Sequence, residues 1–316
     1  MRPPCELVIR DFLPAVRAST AKALKDRGLS QSEIAHGLDI TQAAVSKYLT
    51  QPSSTVEENK AVAVLVKKLT DMIASGSDDS DKTTKALCST CMYLRLGSTI
   101  CRNHKESVPR LKLADCRICS ELLAGREASL SGRAKVLAGL EVALEEIEAC
   151  EHFFVVMPQV RANLVACDPD ATSDSDVAGV PGRITLVNGR AVAHEGPQFG
   201  ASRHTAALLL WAKGRWPQTR ACLCISGRDD IVQSAKAQGF TLYNTTKPTT
   251  DALEIAESAG MVIKRTTKQP SLIAVHVPGG IGVEPILYLF GRSAEELARG
   301  CISICEDLYH ASSPPS

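Results

Sequence analysis

Residues 31–49 read QSEIAHGLDITQAAVSKYL, and the spacing of their apolar and capping side chains predicts two short helices joined by a tight turn. Ser30 precedes the first helix and Glu33 follows three residues on, a capping box that satisfies backbone N–H groups at the helix start. Ile34, Ala35 and Leu38 form that helix's inner face, with Ala35 small where two helices cross closely. The turn is Gly37-Leu38-Asp39-Ile40. Asp39 stands where Gly is usual, and Asp tolerates positive φ better than most residues. Thr41 caps the second helix, whose Val45, Tyr48 and Leu49 point inward. Thr41, Gln42, Ala43, Ser46 and Lys47 remain outside, small or polar side chains of the kind that reach base edges or phosphates from a recognition helix. The expectation is a helix-turn-helix on a double-stranded DNA operator. A single module binds weakly, so a homodimer is expected.

Outward from this motif the chain divides by composition. Residues 1–75 read as helical and carry ten basic against eight acidic side chains. Over the whole chain 36 Lys and Arg nearly cancel 35 Asp and Glu, so any contact with nucleic acid must be local rather than a global field. The N-terminal apolar stretch is broken by charges, unlike a signal peptide. No apolar run approaches the roughly 18 residues of a membrane span. A cytoplasmic location with no membrane partner is expected, and the 12 cysteines are then reduced thiols.

The stretch SGSDDSDKTT, within residues 76–86 apart from its first serine, is small, polar and acid-rich and reads as a linker. Residues 87–125 hold five cysteines. A connecting helix is expected over 126–150, with Ser131 as its cap and Val136, Leu137, Leu140, Leu144 and Ile147 at helical spacing. From residue 151 to 316, β-branched runs (FFVVM, RITLVNG, ACLCIS, LIAVHV) alternate with helical patterns (SRHTAALLLWAKG, DDIVQSAKAQG), which marks an α/β domain. The closing SSPPS reads as a frayed tail. The fold class is therefore multidomain: an all-α helix-turn-helix domain, a small Cys-rich metal module and a C-terminal α/β ligand-binding domain.

Cys88-x2-Cys91, Cys101 and Cys116-x2-Cys119 point to metal. A C-x2-C turn presents two sulfurs to one ion, and two such turns complete a tetrahedral thiolate site. A structural zinc is the first expectation and an iron–sulfur cluster the alternative, since the same thiolates suit iron. Cys101 or His104 can replace one of the four. Cys5, Cys150, Cys167, Cys222, Cys224, Cys301 and Cys305 read as buried small hydrophobes.

Two glycine-bearing loops stand out in the α/β region. Pro197-Gln-Phe-Gly-Ala-Ser-Arg-His204 runs into the helix TAALLLWAKG, where free backbone N–H groups and the helix dipole suit an anion. Pro278-Gly-Gly-Ile-Gly-Val-Glu-Pro285 lies between the strand LIAVHV and an expected helix ILYLF, and lets backbone approach a ligand. Together they suggest a phosphate-bearing ligand; a purely steric use of the glycines is the alternative reading. Candidate contacts are Asn163, Arg183, Phe199, Gly200, Ala201, Ser202, Arg203, His204, Gly279, Gly280, Gly282 and Glu284, with Arg228 a weaker one.

The helix pair resembles the helix-turn-helix of archaeal and phage-type repressors. MPQVRANLVAC (157–167), VPGRITLVNGRAV (180–192), GPQFGASRH (196–204) and GGIGVEP (279–285) resemble, in the same order, the archaeal-type thiamine-phosphate synthase (ThiN-like) domain over about residues 150–310. In that family an Arg and a His are thought essential for condensing a thiazole phosphate with a pyrimidine diphosphate. They would fall on Arg183 and His204. A helix-turn-helix ahead of such a domain resembles the archaeal thiamine regulator, in which a former enzyme senses thiamine phosphates. The family often has Arg, Asp and Lys where Ala207, Val277 and Val283 stand. The resemblance thus implies a repressor of thiamine biosynthesis or transport genes with thiamine phosphate or diphosphate as effector, catalytically inactive. The alternatives are an active synthase with a regulatory DNA-binding domain and a metal- or redox-responsive regulator.

Overall fold

The computed structural model describes residues 2–51, 59–76, 80–114, 116–124, 128–263 and 269–312. These form two compact units, Met1–Arg126 and Glu127–Ser316.

The first unit is helical. Its elements are α1 (Pro4–Leu7), a wider turn at Val8–Phe12, α2 (Leu13–Asp26), α3 (Gln31–Gly37), α4 (Gln42–Thr50), α5 (Lys60–Ala74), α6 (Ser80–Arg95), α7 (Thr99–Ser107), α8 (Pro109–Leu113) and α9 (Ile118–Leu123). The Ser30–Glu33 capping box is present in both directions. Thr41 Oγ1 accepts from Ala44 N at 3.2 Å. Asp39 sits at φ 50°. Ile34, Ala35 and Val45 join Ala21 and Leu24 of α2 in a small core, with Leu38, Ile40, Tyr48, Leu49 and Ile73 packed against it. The Gly37 backbone approaches α5 so closely that a Cβ there would lie 2.4 Å from Ile73 Cγ2.

The stretch expected to be a linker is different. Residues 77–79 lie outside the described residues, but α6 starts at Ser80 and runs through it. Asp81 lies in the first turn of α6, where an acidic side chain complements the helix dipole. Ala86 and Leu94 of α6 and Ile100 of α7 are buried with Leu7, Phe12, Val62, Leu65 and Leu69. The first half of the cysteine segment, in α6 and α7, is thus part of this core, whereas α8 and α9 bury no residue. Each fully buried Leu or Phe contributes about 1.5–3 kcal/mol, so Leu94 anchors α6 to the first unit. Cys88 and Cys91 lie within α6, and Cys119 within α9, so neither C-x2-C forms a bare turn. Cys5 is exposed and Cys150 half-buried, whereas the other five cysteines expected in cores are buried.

The second unit comprises α10 (Ala128–Ala149), a 3-10 turn at Phe153–Val156, β1 (Asn163–Cys167), β2 (Val177–Gly179), β3 (Ile184–Val187), β4 (Arg190–Ala193), β5 (Gln198–Phe199), α11 (His204–Arg215), β6 (Ala221–Ser226), α12 (Asp229–Ala237), β7 (Thr241–Asn244), α13 (Ala252–Val262), β8 (Ile273–Val277), β9 (Ile286–Gly291) and α14 (Ala294–Ser312). Seven strands form one mixed sheet in the order β5-β2-β1-β6-β9-β8-β7, and β3-β4 make a separate hairpin. Among the described residues only β7 and β8 pair in parallel; the other pairings of the large sheet are antiparallel. One core gathers Leu140, Leu144, Ile147, Leu223, Leu289, Leu297 and Ile304 with α10, α12 and α14. A second gathers Leu208, Leu209, Trp216, Ile255, Val275 and Phe290 with α11 and α13. The sheet is therefore covered on both faces.

Three local expectations are corrected here. FFVVM is a 3-10 turn and not a strand. ILYLF is strand β9, paired with both β6 and β8. Its six residues are all buried, so they show no period by which strand and helix could be told apart. The helix α10 begins at Ala128, which places Ser131 inside it, and Leu140, Leu144 and Ile147 build the core rather than a connector. The last four residues of SSPPS lie outside the described residues.

Candidate functional site

A pocket of about 400 Å³ opens beside β1 and the start of α11, lined by Val160, Arg161, Asn163, Val180, Gly182, Arg183, Ala201, Ser202, Arg203, His204 and Thr205. Three backbone features build it. The turn before β1 closes by Arg161 N donating to Pro158 O, with Arg161 at φ 68°. Gly182 and Arg183 follow each other at φ 70° and 69°, and Arg183 N donates to Val180 O. Gly200 at φ 76° turns the chain from β5 toward α11. At Gly179 a Cβ would lie 2.8 Å from Val165 Cγ1 and 3.3 Å from Ser202 Cβ. Glycine there lets the Ser202 loop lie against β1.

Arg161, Arg183 and Arg203 are exposed at the pocket rim. Among the described residues none of the three forms an ion pair. The Arg183 guanidinium donates to Val160 O, tying the two turns together. Asn163 is buried; its Oδ1 accepts from Val180 N at 3.4 Å and its backbone N donates to Cys224 Sγ. At the start of α11 no side chain caps the first turn, so its N–H groups face an anion's approach with the positive end of the helix dipole.

His204 Nε2 lies 2.9 Å from the Tyr288 hydroxyl, which comes from β9. Burial is the larger cause that pushes His204 below the ordinary histidine range, and the Arg183 charge adds to it. Burial also holds the Tyr288 hydroxyl protonated well above the usual tyrosine range. A neutral imidazole beside a protonated phenol can exchange one hydrogen bond while its second nitrogen remains available. Three guanidiniums, a helix start and a neutral histidine around one concave surface suit a phosphate carried by a larger polar molecule.

Of the expected contacts, Asn163, Arg183, Ala201, Ser202, Arg203 and His204 meet at this pocket, and Phe199, Gly200, Gly279, Gly280, Gly282 and Glu284 do not line it. Arg133 stands over the Phe199 ring at 3.5 Å from its centroid, so that face is already covered. The Glu284 carboxylate accepts from Gln159 N at 2.9 Å and Val160 N at 2.7 Å. It clamps the turn before β1. Gly280 and Val283 exchange backbone hydrogen bonds in a tight turn between two strands. A Cβ at Gly280 would strike Pro248, and one at Gly279 would strike Pro285. These glycines serve close packing, and because β9 is a strand no helix dipole points from this loop. Arg228 is engaged by Asp230 through two side-chain hydrogen bonds. Arg161 and Tyr288 were not indicated by any local pattern. Ala207, Val277 and Val283 also stand off the lining, and Val277 is only 2% exposed in the core.

In the first unit Thr41, Gln42, Ala43, Ser46 and Lys47 are all exposed on α4 or at its cap. Among the described residues no three His, Cys, Asp or Glu side chains come together on one metal ion. His104 is buried, with Nε2 2.7 Å from Arg2 O, so that nitrogen is already used. Among the described residues no helix is long and apolar enough to cross a membrane.

The second unit is a mixed α/β domain with a cationic pocket. Residues 139–303 match the family model of thiamine-phosphate synthase ThiN, and the chain belongs to that family. It is 31% identical over 169 residues to thiamine-phosphate synthase ThiN of Methanothermobacter thermautotrophicus, covering 51% of this chain and 88% of that protein. It is 24% identical over 179 residues to the bifunctional thiamine biosynthesis protein ThiDN of Methanocaldococcus jannaschii, covering 56% of this chain and 42% of that one. Among solved structures, the C-terminal domain of a phosphomethylpyrimidine kinase aligns with TM-score 0.48 and 26% identity over 54% of this chain and 99% of that one.

Proposed function

We propose that this protein is a DNA-binding transcription regulator, a dimeric repressor of thiamine biosynthesis or transport genes, whose C-terminal pocket senses a thiamine phosphate. The observation that carries the reading is one chain joining two features: a ThiN-family pocket rimmed by Arg161, Arg183 and Arg203, and a doubly capped helix pair that leaves Thr41, Gln42, Ala43, Ser46 and Lys47 exposed. On this reading Gln42 and Ser46 contact base edges and Lys47 a phosphate. Thiamine monophosphate titrated into the full-length protein by calorimetry should bind with about one site per chain, and thiamine without phosphate should bind far more weakly. Equal affinity for the two would remove the phosphate from the account.

A second reading, a working synthase under a DNA-binding domain, draws support from Arg183 and His204 sharing one pocket, as the family resemblance requires. Incubation with thiazole phosphate, pyrimidine diphosphate and magnesium separates the two. The regulator reading expects no thiamine phosphate, and sustained turnover would establish the enzyme.

A further inference from the structure

Tyr288 lies on β9 between β6 and β8, opposite Cys224 and Val275, and is only 6% exposed. Its hydroxyl is 2.9 Å from His204 Nε2, and among the described residues it has no other hydrogen-bond partner. His204 opens α11 and lines the pocket, whereas Tyr288 stands off the lining. The second ring nitrogen of His204, Nδ1, has no partner among the described residues.

The contact allows two arrangements of protons. In one, Nε2–H donates to the phenol oxygen, and the phenol's own O–H is left without an acceptor in a buried place. In the other, the phenol donates to Nε2 and its proton is used. Burial holds the phenol protonated, so that proton has to be placed. A buried donor left unpaired costs more than a made bond returns, and the second arrangement follows. Burial, with the Arg183 charge added to it, keeps the imidazole neutral. A neutral imidazole that accepts at Nε2 carries its proton on Nδ1. With Nε2 occupied and Nδ1 protonated, the ring has a donor to offer and no free lone pair.

We propose that Tyr288 is a positioning residue that fixes His204 as the Nδ1–H tautomer, so that this histidine meets the ligand's phosphate as an uncharged hydrogen-bond donor and not as a base. The proposal rests on the pocket being the phosphate site, and two measurements test it separately. Nitrogen-15 NMR of the histidine rings, on ligand-free full-length protein at about pH 7.5 where histidine is ordinarily neutral, reads the tautomer directly. The His204 signal, assigned by its loss in His204→Gln, should show Nδ1 protonated. In Tyr288→Phe, which removes one oxygen and keeps the ring, it should move to the Nε2–H form that unconstrained histidine prefers. Calorimetric titration with thiamine monophosphate should show affinity about tenfold lower for Tyr288→Phe, the loss expected of one charge-assisted hydrogen bond. His204→Asn, whose amide nitrogen reaches the place of Nδ1, should bind more tightly than His204→Gln, whose amide nitrogen reaches that of Nε2. An Nε2–H tautomer in the wild type, an unchanged tautomer or undiminished affinity in Tyr288→Phe, or His204→Gln binding as well as His204→Asn would each overturn the assignment. If thiamine monophosphate does not bind at all, the proposed effector fails, while the tautomer, read without ligand, still decides whether Tyr288 holds the proton as assigned.

Discussion

Arg183→Gly is a substitution for which stability and ligand affinity should part. Arg183 occupies the left-handed region at φ 69°, where a residue with a Cβ costs roughly 1–2 kcal/mol relative to glycine. Glycine removes that cost and also removes the exposed hydrogen bond from the guanidinium to Val160 O, worth about 0.5–1.5 kcal/mol. The two nearly cancel, so the folded state should change by no more than about 1 kcal/mol. Ligand binding has no such compensation. One charge-assisted hydrogen bond to a phosphate contributes roughly 1.5–3 kcal/mol, so affinity for thiamine monophosphate should fall about tenfold to a hundredfold. The substitution should also let His204 titrate nearer its ordinary value, because Arg183 is one of the causes that lower it. Thermal unfolding and calorimetric titration of the same preparation read both quantities. Unfolding at much lower temperature would make Arg183 a structural residue, and unchanged affinity would remove it from the site.

Gly37→Ala should cost about 1–3 kcal/mol through overpacking, because its Cβ would lie 2.4 Å from Ile73 Cγ2. Combining it with Ile73→Ala should cost less than the sum of the two, and strict additivity would show that the helices do not meet there. His204 is held below its unfolded pKa by burial, so the unfolded chain binds the extra proton first. Stability linked to His204 is fully present above about pH 6.5 and lost as pH falls through and below that value. His204→Gln should flatten the slope of unfolding free energy between pH 7 and 5, and an unaltered slope would contradict it. Gln42→Ala should weaken operator binding while sparing random DNA, whereas Lys47→Ala should weaken both and lower the salt dependence; equal losses for Gln42→Ala on both DNAs would misplace the reading face.

The helix pair was legible because its information is local: Ser30, Glu33, Thr41 and Asp39 each act within four residues of themselves. The strand-helix alternation was legible for β6, β8, α11 and α12 for the same reason. What failed was what depends on distant partners. The run ILYLF is buried on both faces of the sheet, so its apolar continuity carried no period. SGSDDSDKTT is too polar to bury itself, yet α6 continues into Ala86 and Leu94, whose burial against Phe12 and Leu65 holds the helix. Glu284 and the 279–282 glycines stand in a motif that reads as a ligand loop, and their partners are backbone N–H groups and prolines. Arg161 reaches the pocket, and Tyr288 the lining His204, from a turn and a strand whose sequences give no sign of it.

A regulator of this kind requires one chain to couple the pocket to DNA. The affinity of thiamine monophosphate should therefore be measured on the full-length protein alone and again on the protein saturated with operator DNA. Coupling requires the two affinities to differ, and by the same factor by which the ligand changes affinity for DNA, typically about 5- to 150-fold. Equal affinities in the two states, with the ligand bound in both, would contradict the claim.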